Sequence, residues 1–155
     1  MDATTAHAAG NEVSGAIEVL SDEECFSLLA EVEVGRLAVA VSGEVDIFPI
    51  NFAVDGRSIV FRTAEGTKLV EVVLAGRVAF EIDGYHPAEG QAWSVVVKGD
   101  AEIIDRYDDI YEAENLPLFP WNSAPKGRFV RIVPDEVTGR RFVVARTRTG
   151  TEPQL

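Results

Sequence analysis

The sequence predicts a small, mainly β domain of the α+β kind: six or seven antiparallel strands closed into a barrel, with short connecting helices. Two observations point there. Short runs of alternating or continuous apolar residues recur at regular spacing, and the turns between them, such as Ser42-Gly43-Glu44 and Asp55-Gly56, are glycine-rich hairpin signals. Helical periodicity is confined to three brief stretches. An open sandwich accommodates the same strands, and the pattern alone leaves that choice open.

Ser21 opens the first helix. It stands as N-cap with Glu24 at the capping-box position, and Cys25, Leu28, Leu29 and Val32 follow the rhythm of a buried helix face. Asp22 and Glu23 suit the positive end of the helix dipole, and the helix is expected to end near Glu33. The period then changes to that of strands. Arg36 to Val41 and Val45 to Val54 flank the Ser42-Gly43 turn, with Pro49 marking a bulge or an unpaired edge. Arg57 to Thr63 returns through the Asp55-Gly56 hairpin. A helix follows from Lys68 to Leu74, closed by Gly76, and Val78 to Asp83 alternates as a half-buried strand. Gly84 to Gly90 reads as a loop holding Tyr85, His86 and Pro87. Trp93 to Ile104 is a long strand with a bend or bulge expected at Gly99. Tyr107 to Glu114 is an acidic helix and Leu116 to Lys126 an irregular loop. Phe129 to Val133 and Arg141 to Arg146 are the last strands, joined through Pro134 to Gly139.

Composition bounds the function. The 155 residues fit one domain, with 46% apolar and 26% charged residues, enough for a core without staples. A net charge of −12 argues against nucleic acid and against anionic membrane surfaces as partners. The single cysteine, Cys25, allows no internal disulfide, which suits a cytoplasmic location; its place on a helix face reads as a small buried hydrophobe. No apolar run approaches the length of a membrane span, and the N-terminus does not read as a secretory signal. Residues 1–15 read as a disordered tail, 16–147 as the folded domain and 148–155 as a C-terminal tail. Histidine stands only at positions 7 and 86, which with one cysteine makes no ordinary zinc site. Without a nucleophile elbow or a nucleotide-binding glycine loop, any redox or transfer chemistry has to come from a cofactor.

The stretch Phe61-Arg62-Thr63-Ala64-Glu65-Gly66-Thr67-Lys68-Leu69 runs from a strand end through a tight turn into a helix start. Free backbone N–H groups and the positive dipole end favour an anion there. Gly66 permits close backbone approach, Thr63 and Thr67 offer hydroxyls, and Arg62 and Lys68 add positive charge. Lys68 in a first helical turn opposes the macrodipole at a cost of about 0.3–1 kcal/mol, and a bound phosphate reverses that sign. Without a ligand, Lys68 points into water and Arg62 pairs with Glu65 or Glu81; the residues leave both readings open. Pro49, Ile50 and Asn51 form a second candidate, where a strand interrupted by proline exposes backbone to a ligand or simply guards an edge against aggregation. Trp93, followed by Ser94, opens the long strand, where its indole either reaches beyond the barrel or packs in the core. His86 and the acidic run from Asp105 to Glu114 read as solvated surface.

Taken in order, these segments resemble the pyridoxamine 5'-phosphate oxidase-like split-barrel flavin-binding family. The motifs that carry the resemblance are Val34-Gly35-Arg36-Leu37-Ala38, Pro49-Ile50-Asn51-Phe52, Asp55-Gly56, Phe61-Arg62-Thr63 with Gly66-Thr67-Lys68-Leu69, Val78 to Asp83, and Trp93 to Gly99. Within the family the chain is most similar to the small actinobacterial and nitroimidazole-reductase-like branch. The resemblance implies a six-stranded antiparallel split barrel that forms a homodimer, with FMN in two clefts between the subunits. It implies Arg62, Thr63, Gly66, Thr67 and Lys68 on the FMN phosphate and Pro49, Ile50 and Asn51 along the flavin ring. Trp93 and Ser94 would meet the cofactor of the partner subunit. The implied activity is that of an FMN-dependent oxidoreductase acting on a small-molecule substrate. A deazaflavin-dependent reductase and a non-catalytic flavin- or haem-binding protein are the alternatives. Thr67-Lys68 stands where true oxidases carry Arg-Lys, and the C-terminal Trp and Arg that grip pyridoxal phosphate there have no counterpart, so pyridoxamine phosphate is not the implied substrate.

Overall fold

The computed structural model describes residues 17–63, 69, 76–118 and 127–144. They form β1 (Ile17–Val19), α1 (Asp22–Glu31), β2 (Val34–Val41), β3 (Glu44–Asp55), β4 (Ser58–Thr63), β5 (Arg77–His86), β6 (Gln91–Ile104), α2 (Tyr107–Glu114) and β7 (Arg128–Val143). The expected tails and most of the expected Lys68 to Leu74 helix lie outside these residues; Leu69 is described and packs half-buried against the core.

The strands close into a ring. The sheet order is β1-β7-β4-β3-β2-β5-β6, and β6 pairs with β7 in addition, so six strands encircle a core and β1 is added to the far half of β7. All the pairings are antiparallel. The barrel reading stands and the open sandwich falls, because β7 is long enough to pair with β4 through Arg128–Ile132 and with β6 along nearly its whole length. Phe61, Phe80 and Val97 fill the interior with no exposure, so no room for a large ligand remains inside.

α1 begins as the sequence predicts. The Ser21 side chain accepts from the Glu24 N–H at 3.2 Å, and Glu24 Oε2 accepts from the Ser21 N–H at 2.8 Å. Cys25, Leu28 and Leu29 then face the same core as the strands. Burial pushes the Cys25 thiol pKa up, which keeps it a neutral packing group.

Two expectations about strands are corrected. Gly84 to Gly90 is not a loop throughout: β5 continues to His86, and only Pro87 to Gly90 turns. Cross-strand pairing with β6, from Gly84↔Trp93 to His86↔Gln91, overrides the local turn signal. The last two strands are likewise one. Pro134 does not end β7 because Asp135 is inserted as an extra residue between the Gly99↔Pro134 and Lys98↔Glu136 pairs. The irregularity expected at Gly99 is this bulge; a Cβ on Gly99 would collide with the Val133 carbonyl.

Pro49 occupies an unpaired edge and not a bulge. Phe52 N donates to Glu33 O on the β2 side, so the nitrogen of Pro49, an odd number of residues earlier, points the other way. On that side the β3–β4 ladder extends only from Asp55↔Ser58 to Phe52↔Phe61, and Pro49 forfeits no ladder bond.

Candidate functional site

The site grows from the place where β3 and β4 part. Beyond the Phe52↔Phe61 pair, β3 continues beside β2 and β4 beside β7. Asn51 and Arg62 are the first residues past that pair on either side of the opening. The two sequence segments singled out as ligand candidates, 49–51 and 62–63, therefore flank one divergence in the barrel wall.

Strand alternation sends neighbouring side chains to opposite faces. Thr63 faces the interior at 4% exposure, and its Oγ1 is buried with no hydrogen-bond partner. A buried hydroxyl without a partner is costly, by about 1–3 kcal/mol, and calls for a missing acceptor or donor. Arg62 faces outward, its guanidinium 5.2 Å from the centre of the Phe129 ring. That ring belongs to a small cluster with Val60, Ile104 and Ala113 of α2. Arg62 is thus held over an aromatic ring, and the expected alternative partner Glu81 is taken by Arg36 at 3.0 Å. Gly66, Thr67 and Lys68 lie outside the described residues.

Pro49 and Asn51 face outward while Ile50, 8% exposed, points into the core. Asn51 Nδ2 donates to Glu33 O at 3.5 Å, which orients the amide at the rim of the opening. Ser94 lies on the same outer face of the sheet, with β2 and β5 between it and β3. Trp93 does not reach outward. Its ring is 5% exposed in the core, laid against Gly84, where any Cβ would overlap it, and its Nε1–H donates to His86 Nε2 at 3.3 Å. Sequence could not decide this, because the space for the indole is created by a glycine on the neighbouring strand.

The outer face of β3, β2 and the middle of β5 carries small and apolar residues around the Arg36 cluster, while Arg77, Lys98, Asp100 and Glu102 make the rest of the β5–β6 face charged. Val45 and Ile47 are 66% and 65% exposed, and Ile47 lies across from Ala38. At the centre Arg36 holds Asp83 at 3.2 Å and Glu81 at 3.0 Å; these hydrogen bonds push the guanidinium pKa up. An open groove of about 820 Å³ lies elsewhere, between α1 and the Asp55-Gly56 turn, at the opposite end of β4 from Thr63. Glu23, Glu24 and Glu31 line it together with Arg57 and Arg141, and both arginines are already held by carboxylates, Arg57 by Asp22 and Arg141 by Glu18, so the groove offers a phosphate little.

A phosphate-bearing flavin fits the residues at the opening. The two groups lie on opposite faces, Arg62 outside over Phe129 and the unpartnered Thr63 hydroxyl inside at the last residue of β4, so a phosphate meeting both has to sit at the end of that strand. The filled interior keeps a flat ring outside the barrel, against the open edge of β3.

Comparison with known proteins agrees with this architecture. The chain is 45% identical over 100 residues to the uncharacterized protein Rv3129 of Mycobacterium tuberculosis, covering 64% of this chain and 84% of that one. The FAD binding protein from Mycobacterium smegmatis superposes with a TM-score of 0.73 at 43% identity, covering 81% of this chain and 99% of that one. A FAD-binding protein from Mesorhizobium loti shares the fold, with a TM-score of 0.71 at 24% identity over 83% of this chain and 98% of that one. The sequence profile described as pyridoxamine 5'-phosphate oxidase matches residues 21–141. With that match across most of the described barrel, the chain belongs to the pyridoxamine 5'-phosphate oxidase-like family.

Proposed function

We propose that the protein is a flavin-dependent oxidoreductase that works as a homodimer, binds FMN or the FMN portion of FAD, and acts on a small molecule. The observation that carries the reading is the buried, partnerless Thr63 hydroxyl at the point where β3 and β4 separate. Arg62, Thr63, Gly66, Thr67 and Lys68 hold the phosphate in this reading. Pro49 and Asn51 border the ring with backbone and amide groups, with Ile50 packed beneath them. Ser94 reaches the cofactor of the second copy from the outer sheet face, and Trp93 forms the floor under it. Bound flavin supplies the redox chemistry; the protein binds it, orients it and limits water at its ring. Similarity to a protein described as FAD binding, at 43% identity, supports a flavin over a deazaflavin.

The absorbance of the purified protein tests this directly. A flavin spectrum, together with micromolar or tighter binding of FMN or FAD in titration, supports the reading. Binding of a deazaflavin in preference to both would replace the cofactor, and no binding of any of them would end the proposal. Oxidation of a reduced nicotinamide with an artificial acceptor then separates an enzyme from a binding protein.

A further inference from the structure

Arg62 has a different kind of partner from most arginines of this chain. Net charge is −12, and Arg36, Arg57, Arg77, Arg131 and Arg141 are each held by a carboxylate. Among the described residues no carboxylate holds Arg62; its guanidinium lies over the Phe129 ring instead. A ring fixes a guanidinium without neutralising it, and leaves its N–H groups free to donate to an anion.

Register builds the contact. Arg62 and Phe129 stand directly across from each other on β4 and β7, and Phe129 in turn stands across from Ile104 on β6. Val60, two residues before Arg62 on the same face of β4, joins the cluster. α2 closes it with Ala113, 1% exposed, and Ile110 packs at its edge. The Phe129 residue is 6% exposed, so its ring is set by close packing. The Arg62 side chain is exposed and long, and on its own would lose that freedom when a ligand bound.

We propose that Phe129 is a positioning residue for the phosphate site. Its ring, fixed in the cluster under α2, holds the Arg62 guanidinium in place at the end of β4 before the ligand arrives. Phe129 itself does not touch the ligand. The proposal rests on the flavin reading above and adds to it a support that lies wholly within one subunit. α2, acidic on its outer side, thereby serves binding through its buried one.

FMN and riboflavin, which lacks the phosphate, are titrated into single variants of Arg62 and Phe129 and into a double variant. Arg62→Gln weakens FMN binding by about tenfold or more, the scale of a charge-assisted hydrogen bond. Phe129→Met, which fills the space without a π face, weakens it about two- to fivefold, the worth of an exposed contact between a cation and a ring, and Phe129→Leu does the same. Riboflavin affinity stays unchanged in all three. Phe129→Tyr keeps the π face and retains FMN affinity. In Arg62→Gln combined with Phe129→Met the loss equals that of Arg62→Gln alone, because the ring has no guanidinium left to hold. Full FMN affinity in a folded Phe129→Met or Phe129→Leu protein overturns the proposal, as does full FMN affinity in Arg62→Gln. It is overturned equally by a matching loss for riboflavin, by a loss in Phe129→Tyr as large as in Phe129→Met, or by losses that add in the double variant. Should neither ring-less variant fold, Arg62→Lys carries the test. It keeps the charge but not the planar fork, so part of the FMN affinity is lost, and full affinity there overturns the proposal. Failure of the unaltered protein to bind flavin instead ends the underlying reading, and is seen before any variant is made.

Discussion

Thr63 is the residue at which stability and binding are expected to oppose each other. Its hydroxyl is buried without a partner, so Thr63→Val removes an unsatisfied polar atom at almost constant volume. The ligand-free protein is expected to gain about 1 kcal/mol in thermal or denaturant unfolding. The same variant is expected to bind FMN roughly tenfold more weakly, because a charge-assisted donor to the phosphate is lost. A destabilised variant, or one with full flavin affinity, would show that the hydroxyl serves packing alone. Lys68→Ala is a second test of the proposed phosphate contacts: about 1.5–3 kcal/mol of FMN affinity is expected to disappear in titration while the fold survives. His86 gives a purely structural counterpart. His86→Leu leaves the Trp93 indole N–H, at a 5% exposed residue, without its acceptor and is expected to cost about 1–3 kcal/mol in unfolding experiments, without directly changing a flavin contact.

At the scale of elements, α1 depends on its first turn. Ser21→Ala removes one half of the capping box and is expected to cost about 1 kcal/mol in stability. Glu24 adds a pH dependence. Its hydrogen bonds with Ser21, and then the charge of Arg141, hold its carboxyl below the usual value of 4.5. A folded pKa lower than the unfolded one means that this stabilisation is complete above about the ordinary glutamate value and is lost as pH falls through the lowered one. Glu24→Gln is therefore expected to lower stability by a constant amount at neutral pH and above, to differ least from the unaltered protein at low pH, and so to flatten the acid limb of a stability-against-pH curve. A second ion pair, Arg57 to Asp22 at 2.8 Å, ties the same turn to the β3–β4 hairpin, but both groups are largely exposed and contribute little.

At the scale of the whole molecule, a barrel filled by Phe61, Phe80 and Val97 leaves a flavin only its outside, and in the dimeric reading proposed above a second subunit covers it there. The outer face of β3 and β2, with Val45 and Ile47 about two-thirds exposed, is the surface expected to do so. Sedimentation at micromolar concentration is expected to give a dimer, and Ile47→Asp a monomer that has lost flavin. A flavin-bearing monomer in either case would place the cofactor within one subunit.

Much of this was legible in the chain itself. The capping box at Ser21, the hairpin at Asp55-Gly56, the alternation of β2 to β6, and the bulge at Gly99 are local signals, and each appears where the residues place it. The filled barrel interior was also predictable, because the apolar face of every strand could be read from its period. What the tertiary structure decided is non-local. Ile17–Val19 is too short to announce itself and becomes a strand only because β7 offers Arg140 to Phe142 as partners. Trp93 turns inward because Gly84, on the next strand, leaves room for it. Pro134 stays within one strand because a single extra residue is absorbed opposite Gly99. Segments 49–51 and 62–63, separated along the chain, come together only where β3 and β4 part. Sequence period records which face a residue prefers; which residue lies across from it depends on strand register, and register is set only when the sheet closes.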